Sequence, residues 1–469
     1  MKEKIIVLFS AILGLFCLGT NPISQSMRCV DEMVFLYVGD AMRRGLMPYR
    51  DVFDHKGPLL YIINEIGLSI SNGATWGVWL IEGVLLVLGC IVLIRWARRI
   101  GVGSCAATAM LLYLVFVFIS ICGGNICETY ALFFVVCALA SGLAPLITGF
   151  SIAGLIMVKF TLAFPLAVAF LSVNLKWRRI FLCSIVSCMG LVPFVVWMMA
   201  NHFLGDFWDV YIMFNAVYGK ATRSGGVFIV RVMPAILLTV WVCGLKMKEA
   251  VWNHKTDFRN LDFTQRSWIG SLVYVLSCFA MLFAMGVQEE YYFIPVLPGC
   301  FLPLALACGR LWDRKVWVNR AFVVFCFVFL AFLVFRANVY VTPYVKAIVA
   351  GVPLVDVMRS VRKAGFDETL AFRDKIENRD SVTVLGNICA IYRVLDVRTP
   401  WRYPYQRPIS YIDKRIFEDV CRELRAKSSR YLIYAKWDVE IMNMFKEHWE
   451  MSYRKMAETD NFVLLTARE

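Results

Sequence analysis

The sequence predicts a polytopic α-helical membrane protein with a small α/β domain outside the bilayer, and three observations predict it. Of 469 residues, 59% are hydrophobic and 18% charged, at a mean hydropathy of +0.64, which is more apolar material than a soluble core of this size requires. Apolar windows of membrane-spanning length recur, with Arg and Lys gathered in alternate intervals between them. After Asn338 the windows stop and the chain turns polar and mixed in charge. The net charge of +14 therefore reads as cytoplasmic loops of a membrane protein, not as a nucleic-acid surface. Most of the 16 cysteines fall inside apolar runs as small hydrophobes, and no Cys-x-x-Cys pair occurs, which argues against a zinc site or a disulfide framework.

The elements follow in order. Residues 5–20, preceded by Lys2 and Lys4 and lacking a small-residue cleavage site, read as a retained first helix. Residues 59–71 are apolar but short, and Asn64 and Glu65 suggest a helix lying in the interface. Spans are expected at residues 76–94, 106–122 and 130–147. Residues 150–158 and 160–173 meet at Lys159, and each is too short to span. They read as a half-length pair that places Lys159 at a polar cavity, because a single span would not leave the flanking turns at 146–149 and 176–179 on one side. The alternative is one long helix with a snorkelling lysine. Further spans at 180–200, 227–245, 268–287, 293–308 and 321–335 bring the count to about eleven, N-terminus inside and C-terminus outside. The chain thus divides into a membrane domain, 1–337, with a first external loop at 21–75, and an extracytoplasmic α/β domain, 338–469. In the latter, residues 381–386, 431–435 and 462–466 read as strands, and 413–427 and 439–449 as helices. The aromatic stretch 397–409 is either a cover for the membrane domain's cavity or an ordered linker.

The chemistry concentrates in residues 30–59, VDEMVFLYVGDAMRRGLMPYRDVFDHKGPL. Asp31 and Glu32 form an adjacent acidic pair, and His55-Lys56-Gly57-Pro58 follows one loop later. A carboxylate can take a proton from a hydroxyl, and a lysine can hold a phosphate. Any large external loop is polar, and Arg50, Asp51 and Asp54 can simply build its turns. The order of motifs is more particular: Asp-Glu near the end of the first apolar segment, then Gly-x-x-Pro-Tyr-x-Asp-x-x-Asp-x-Lys-Gly-Pro. It resembles the first loop of GT-C glycosyltransferases, and most of all the bacterial branch of protein O-mannosyltransferases and lipid A aminoarabinose transferases.

That resemblance implies an inverting transferase in the inner (plasma) membrane. It would move a sugar from a polyprenyl-phosphate donor to a lipid, glycan or protein hydroxyl of the cell envelope, at the extracytoplasmic face. It assigns Asp31 as the base, with Glu32 as its neighbour or a sugar contact, and Lys56, His55 and Lys159 to the departing phosphate. Glu128, in Gly-Asn-x-x-Glu, falls at a second acidic site that orients substrate or completes a metal site with Asp31. A divalent metal there is the one cofactor the pattern leaves open. The segment from Glu289 to Pro298 resembles the family's late His-Tyr-x-x-x-x-x-Pro motif, with Tyr291 or Glu290 in place of the histidine, so Tyr292 joins the donor site and Glu290 joins Glu128 at the second acidic site. A transporter or flippase of a lipid-linked saccharide is the competing reading. It would place polar groups near the midplane, whereas Glu82 is the one clear carboxylate deep within an apolar run. A membrane-anchored scaffold would need far fewer spans.

Overall fold

The structure, a computed structural model, describes residues 18–22, 30–103, 107, 111, 124–221, 237, 239–245, 259–285, 290–311, 350–351 and 364–468. Most of the first helix, the spans expected at 106–122 and 321–335, much of that at 227–245 and the domain boundary after 337 lie outside the described residues.

Helices dominate. α1 (Val30–Arg43) carries the acidic pair in its first turn, where the helix N-terminus favours negative charge. α2 (Pro58–Ile70) starts on a proline whose missing N–H costs nothing at that position. α3 (Trp76–Arg99) is followed among the described helices by α4 (Cys127–Ala140), α5 (Pro145–Lys159), α6 (Ala163–Val173) and α7 (Trp177–Ala200). α8 (Asn215–Ala221), α9 (Phe263–Met285) and α10 (Leu297–Leu311) complete the series. Four apolar runs among the described residues are long enough to cross a membrane: α3, α7, α9 and Pro145–Val173. The chain is an integral membrane protein.

The fourth run is not one rod. Lys159 leaves the helix in an extended conformation (φ −164°, ψ 104°) and a 3₁₀ turn, Phe160–Leu162, leads into α6. Asn174, just past α6, donates to the Leu143 carbonyl just before α5 at 3.2 Å, so the two segments return to one level. The Ser187 hydroxyl of α7 donates to the Gly149 carbonyl of α5 at 3.0 Å, and Gly190 lies against Ala153 one turn further along both helices. α5 and α7 thus advance side by side in the same direction, which requires α6 to come back between them. The half-length pair is the geometry found, with Lys159 at its tip.

Two sequence expectations shift. The span read at 130–147 ends at Ala140, and Gly142 and Leu143 take left-handed conformations (φ +66° and +55°) before Pro145 opens α5. Glycine after a helix and proline at the next start are the stop and start signals that outweighed continuous hydropathy. Asn64, which suggested an interfacial helix, is fully buried in the protein: it exchanges amide hydrogen bonds with Asn125 at 3.0 and 2.6 Å and donates to its own Leu60 carbonyl. A polar side chain on an apolar helix found its partner inside the protein.

Residues 364–468 build a four-stranded sheet, β1 (Val382–Val384), β2 (Tyr431–Ala435), β3 (Tyr453–Glu458) and β4 (Phe462–Ala467), in the order β1-β2-β4-β3. β1 and β2 are parallel, the remaining pairs antiparallel. The parallel pair needs a crossover, and α11 (Ala390–Leu395) and α12 (Lys414–Ala426) lie within it. Asp413 caps α12 by accepting from the Arg415 N–H, and Asp438 caps α13 (Val439–Trp449). β3, with its charged outer residues, was not legible as a strand.

This unit touches the membrane helices through its aromatic stretch. Phe53 N–H donates to the Arg402 carbonyl at 2.7 Å, Thr399 N–H to the Tyr37 hydroxyl at 3.2 Å, and Arg393 to the Gly73 carbonyl at 2.7 Å. Trp401, Tyr403 and Tyr405 are buried there.

Candidate active site

The loop between α1 and α2 is built from its own polar residues. Asp51 accepts from Met47 N–H at 2.8 Å and pairs with Arg50 at 2.9 Å, as a turn residue does. Tyr49, at φ +68°, turns its carbonyl to Arg402 Nε at 2.9 Å. Asp54 differs from the turn residue expected of it. It is 2% exposed and accepts from the hydroxyls of Tyr61 and Tyr405, each at 2.7 Å. Burial first, and then the Asp54 charge, push the Tyr405 phenol well above its usual range, so it stays a donor.

His55 and Lys56 rest on this platform. The Lys56 amine donates to His55 Nε2 at 2.9 Å, which assigns the imidazole hydrogen to Nδ1. Burial, then the positive charges of Lys56 and Lys159, hold His55 far below the ordinary imidazole pKa, so it is neutral. Its ring packs on Tyr218 at 4.6 Å and its carbonyl accepts from Asn215 at 2.7 Å. Burial opposes the Lys56 charge, but Asp54 and Asp31 outweigh it and raise the amine above the usual lysine range. Gly57 is required at its position. Its N–H donates to the Val158 carbonyl at 2.9 Å, and a Cβ there would stand 2.1 Å from the Met157 carbonyl oxygen. The Lys-Gly-Pro turn is thereby bolted to the tip of α5, one residue from Lys159.

At that tip the Lys159 amine pairs with Glu128 Oε1 at 2.7 Å and lies 3.9 Å above the Tyr292 ring. The ion pair is withdrawn from solvent, at 12% and 2% exposure. Tyr211 closes the helix break: its hydroxyl donates to the Ile156 carbonyl and accepts from Phe160 N–H at 2.8 Å. Tyr292 stacks on Tyr291 at 4.8 Å, and Tyr291 reaches across to donate to Asp31 Oδ2 at 3.3 Å.

Asp31, His55, Lys56, Glu128, Lys159 and Tyr292 therefore gather in one region. Glu32 does not face it. Successive helical residues diverge by about 100°, and Glu32 turns inward at 1% exposure, against Gly19 and Gly124. The side chain of Glu290 lies outside the described residues. Glu128 is engaged by Lys159 rather than by Asp31, and no cluster of three His, Cys, Asp or Glu side chains suited to a metal occurs among the described residues. Tyr218, Tyr405 and Asn215 complete the region and were not singled out as site residues. Their only advance signal was the richness of their loops in tyrosine.

The arrangement offers a half-buried carboxylate whose one hydrogen bond among the described residues is long, in the same region as two lysines and several tyrosines. It is suited to removing a proton on one side and holding an anion on the other.

Comparison with known proteins adds the following. A family model described as the putative competence-induced protein Ccs4 N-terminal domain matches residues 1–316. No curated protein matches. Among solved structures, apo ArnT from Cupriavidus metallidurans superposes with a TM-score of 0.59 at 14% identity, covering 98% of this chain and 97% of that one. The same protein bound to undecaprenyl phosphate gives 0.56 at 12% identity with the same coverage. The Archaeoglobus fulgidus oligosaccharyltransferase in its apo form gives 0.51 at 12% identity over 97% of this chain and 73% of its own. At such identities the likeness is one of fold, and the fold is GT-C.

Proposed function

This chain belongs to the Ccs4 N-terminal-domain family, and from that premise and the GT-C fold we propose that it is a membrane glycosyltransferase that uses a polyprenyl-phosphate-linked sugar. Asp31 removes the proton from an acceptor hydroxyl as the acceptor oxygen bonds to the anomeric carbon. The bond from that carbon to the phosphate oxygen breaks on the opposite side, and the electron pair leaves with the lipid phosphate. Lys56 and Lys159 receive that charge, His55 aims the first amine and Tyr292 the second. One displacement inverts the anomeric centre. The acceptor is an envelope hydroxyl, and the reaction faces the extracytoplasmic side, with the basic loops inside.

The observation that carries this reading is the bolt from Gly57 N–H to the Val158 carbonyl, which brings the two lysines to one place although 103 residues separate them in sequence. The ArnT likeness, one member of which was solved with undecaprenyl phosphate, supports the choice of donor. The test is release of lipid phosphate from radiolabelled polyprenyl-phosphate sugars by the purified chain supplied with envelope extract, with the product's anomeric configuration read by NMR. Inverted product is expected. Movement of the intact lipid-linked sugar across vesicles without release would replace the reading with a flippase, and a retained configuration would remove the single displacement.

A further inference from the structure

Behind the candidate site, a groove partly open to the surroundings runs between α3, α4 and the start of α10. Its wall is hydrocarbon, from side chains such as Leu86, Leu132 and Phe133, with two conspicuous polar exceptions, Glu82 and Thr129. Both are withdrawn from solvent, at 2% and 9% exposure. Glu82 Oε2 accepts from the Thr20 hydroxyl. Glu82 Oε1 and Thr129 Oγ1 are buried without a hydrogen-bond partner among the described residues. Leaving a buried polar atom unsatisfied is costly, so two in one apolar groove point to a partner supplied by whatever fills it.

We propose that this groove binds a lipid alcohol, its chain along Leu86, Leu132 and Phe133 and its hydroxyl paired with Glu82 Oε1, with Thr129 Oγ1 as the second polar contact. A hydroxyl both donates and accepts, so one oxygen can serve a carboxyl and a threonine together. A plain hydrocarbon fills the space and leaves both atoms orphaned. A lipid phosphate sets negative charge against the Glu82 carboxyl. The groove is separate from the region of Asp31, whose direction on α1 diverges by about 100° from that of the inward-turned Glu32, and its occupancy requires no sugar transfer.

The experiment uses the full chain in lipid nanodiscs and three diazirine probes of equal length: hexadecanol, hexadecane and hexadecyl phosphate. The alcohol should label peptides of α3 and α4 about tenfold more than the alkane, the range of one to two buried hydrogen bonds. Glu82→Leu combined with Thr129→Val should erase that advantage, and Leu132→Trp, which fills the groove, should suppress labelling by every probe. Equal labelling by alcohol and alkane, preference for the phosphate, or labelling elsewhere would each overturn the proposal. Should the double variant not fold, the comparison of probes on the unaltered chain decides alone. Because the readout is binding, a chain that fails to transfer sugar still tests it.

Discussion

Asp31 and Asp54 stand in the same stretch of chain and the fold treats them in opposite ways. Asp54 is sealed, with a tyrosine hydroxyl on each oxygen at 2.7 Å, one of them from a residue 351 positions away. Asp31 is half-buried and, among the described residues, accepts from the Tyr291 hydroxyl alone, at 3.3 Å. A carboxylate whose lone pairs are already taken holds structure together, while one with a single long bond remains open to a substrate hydrogen. The difference separates a clamp from the carboxylate proposed as the base, although composition alone makes them equals.

The comparison can be broken most directly by Asp31→Asn, which keeps the shape and removes the base. Turnover on a polyprenyl-phosphate sugar should fall by roughly 10²–10⁴ with donor affinity largely retained. Undiminished turnover in a rate assay would take Asp31 out of the reaction. The buried pair beside it comes next. Lys159→Met leaves Glu128 charged and alone and should cost about 3–5 kcal/mol of stability. Adding Glu128→Gln should return most of it, as read by denaturation in detergent, and no recovery would mean that the pair is not coupled. Asp54→Asn should cost about 1–3 kcal/mol through its two tyrosine bonds. It should also loosen residues 397–409, seen as faster hydrogen exchange there. If instead it halts turnover as fully as Asp31→Asn while exchange stays unchanged, the two aspartates are not divided as described.

The smallest effect is one of pH. His55 is held neutral in the folded chain, below its ordinary value of 6.5. Above that value its contribution is fully present. As pH falls below it the unfolded chain takes up a proton that the folded chain refuses, so stability declines, by at most about 1.4 kcal/mol per pH unit. His55→Gln should flatten that part of the profile in a melting series between neutral and mildly acid buffer. An unchanged slope would mean that folding leaves the His55 imidazole unshifted.

Much of the molecule was legible before folding. The apolar windows marked α3, α7 and α9, the meeting of two short runs at Lys159 marked the tip of a hairpin, and apolar runs marked β1, β2 and β4. Asp31, Lys56 and Lys159 stood out because charge flanking or interrupting apolar segments is costly unless it serves something. Misreadings came where a second signal competed. Hydropathy ran through the turn at Gly142, and the burial of Asn64 was hidden because its partner Asn125 lay 61 residues away.

By itself the sequence determined the class of the protein and the periods of its helices and strands, because hydropathy and local backbone preference act between near neighbours. Only the tertiary structure decided the partners: Glu128 with Lys159, Asp54 with Tyr61 and Tyr405, Gly57 against Val158, and Glu32 turned away from Asp31. Buried polar groups must be satisfied, but which distant group satisfies them depends on how the helices pack, and no local pattern records that.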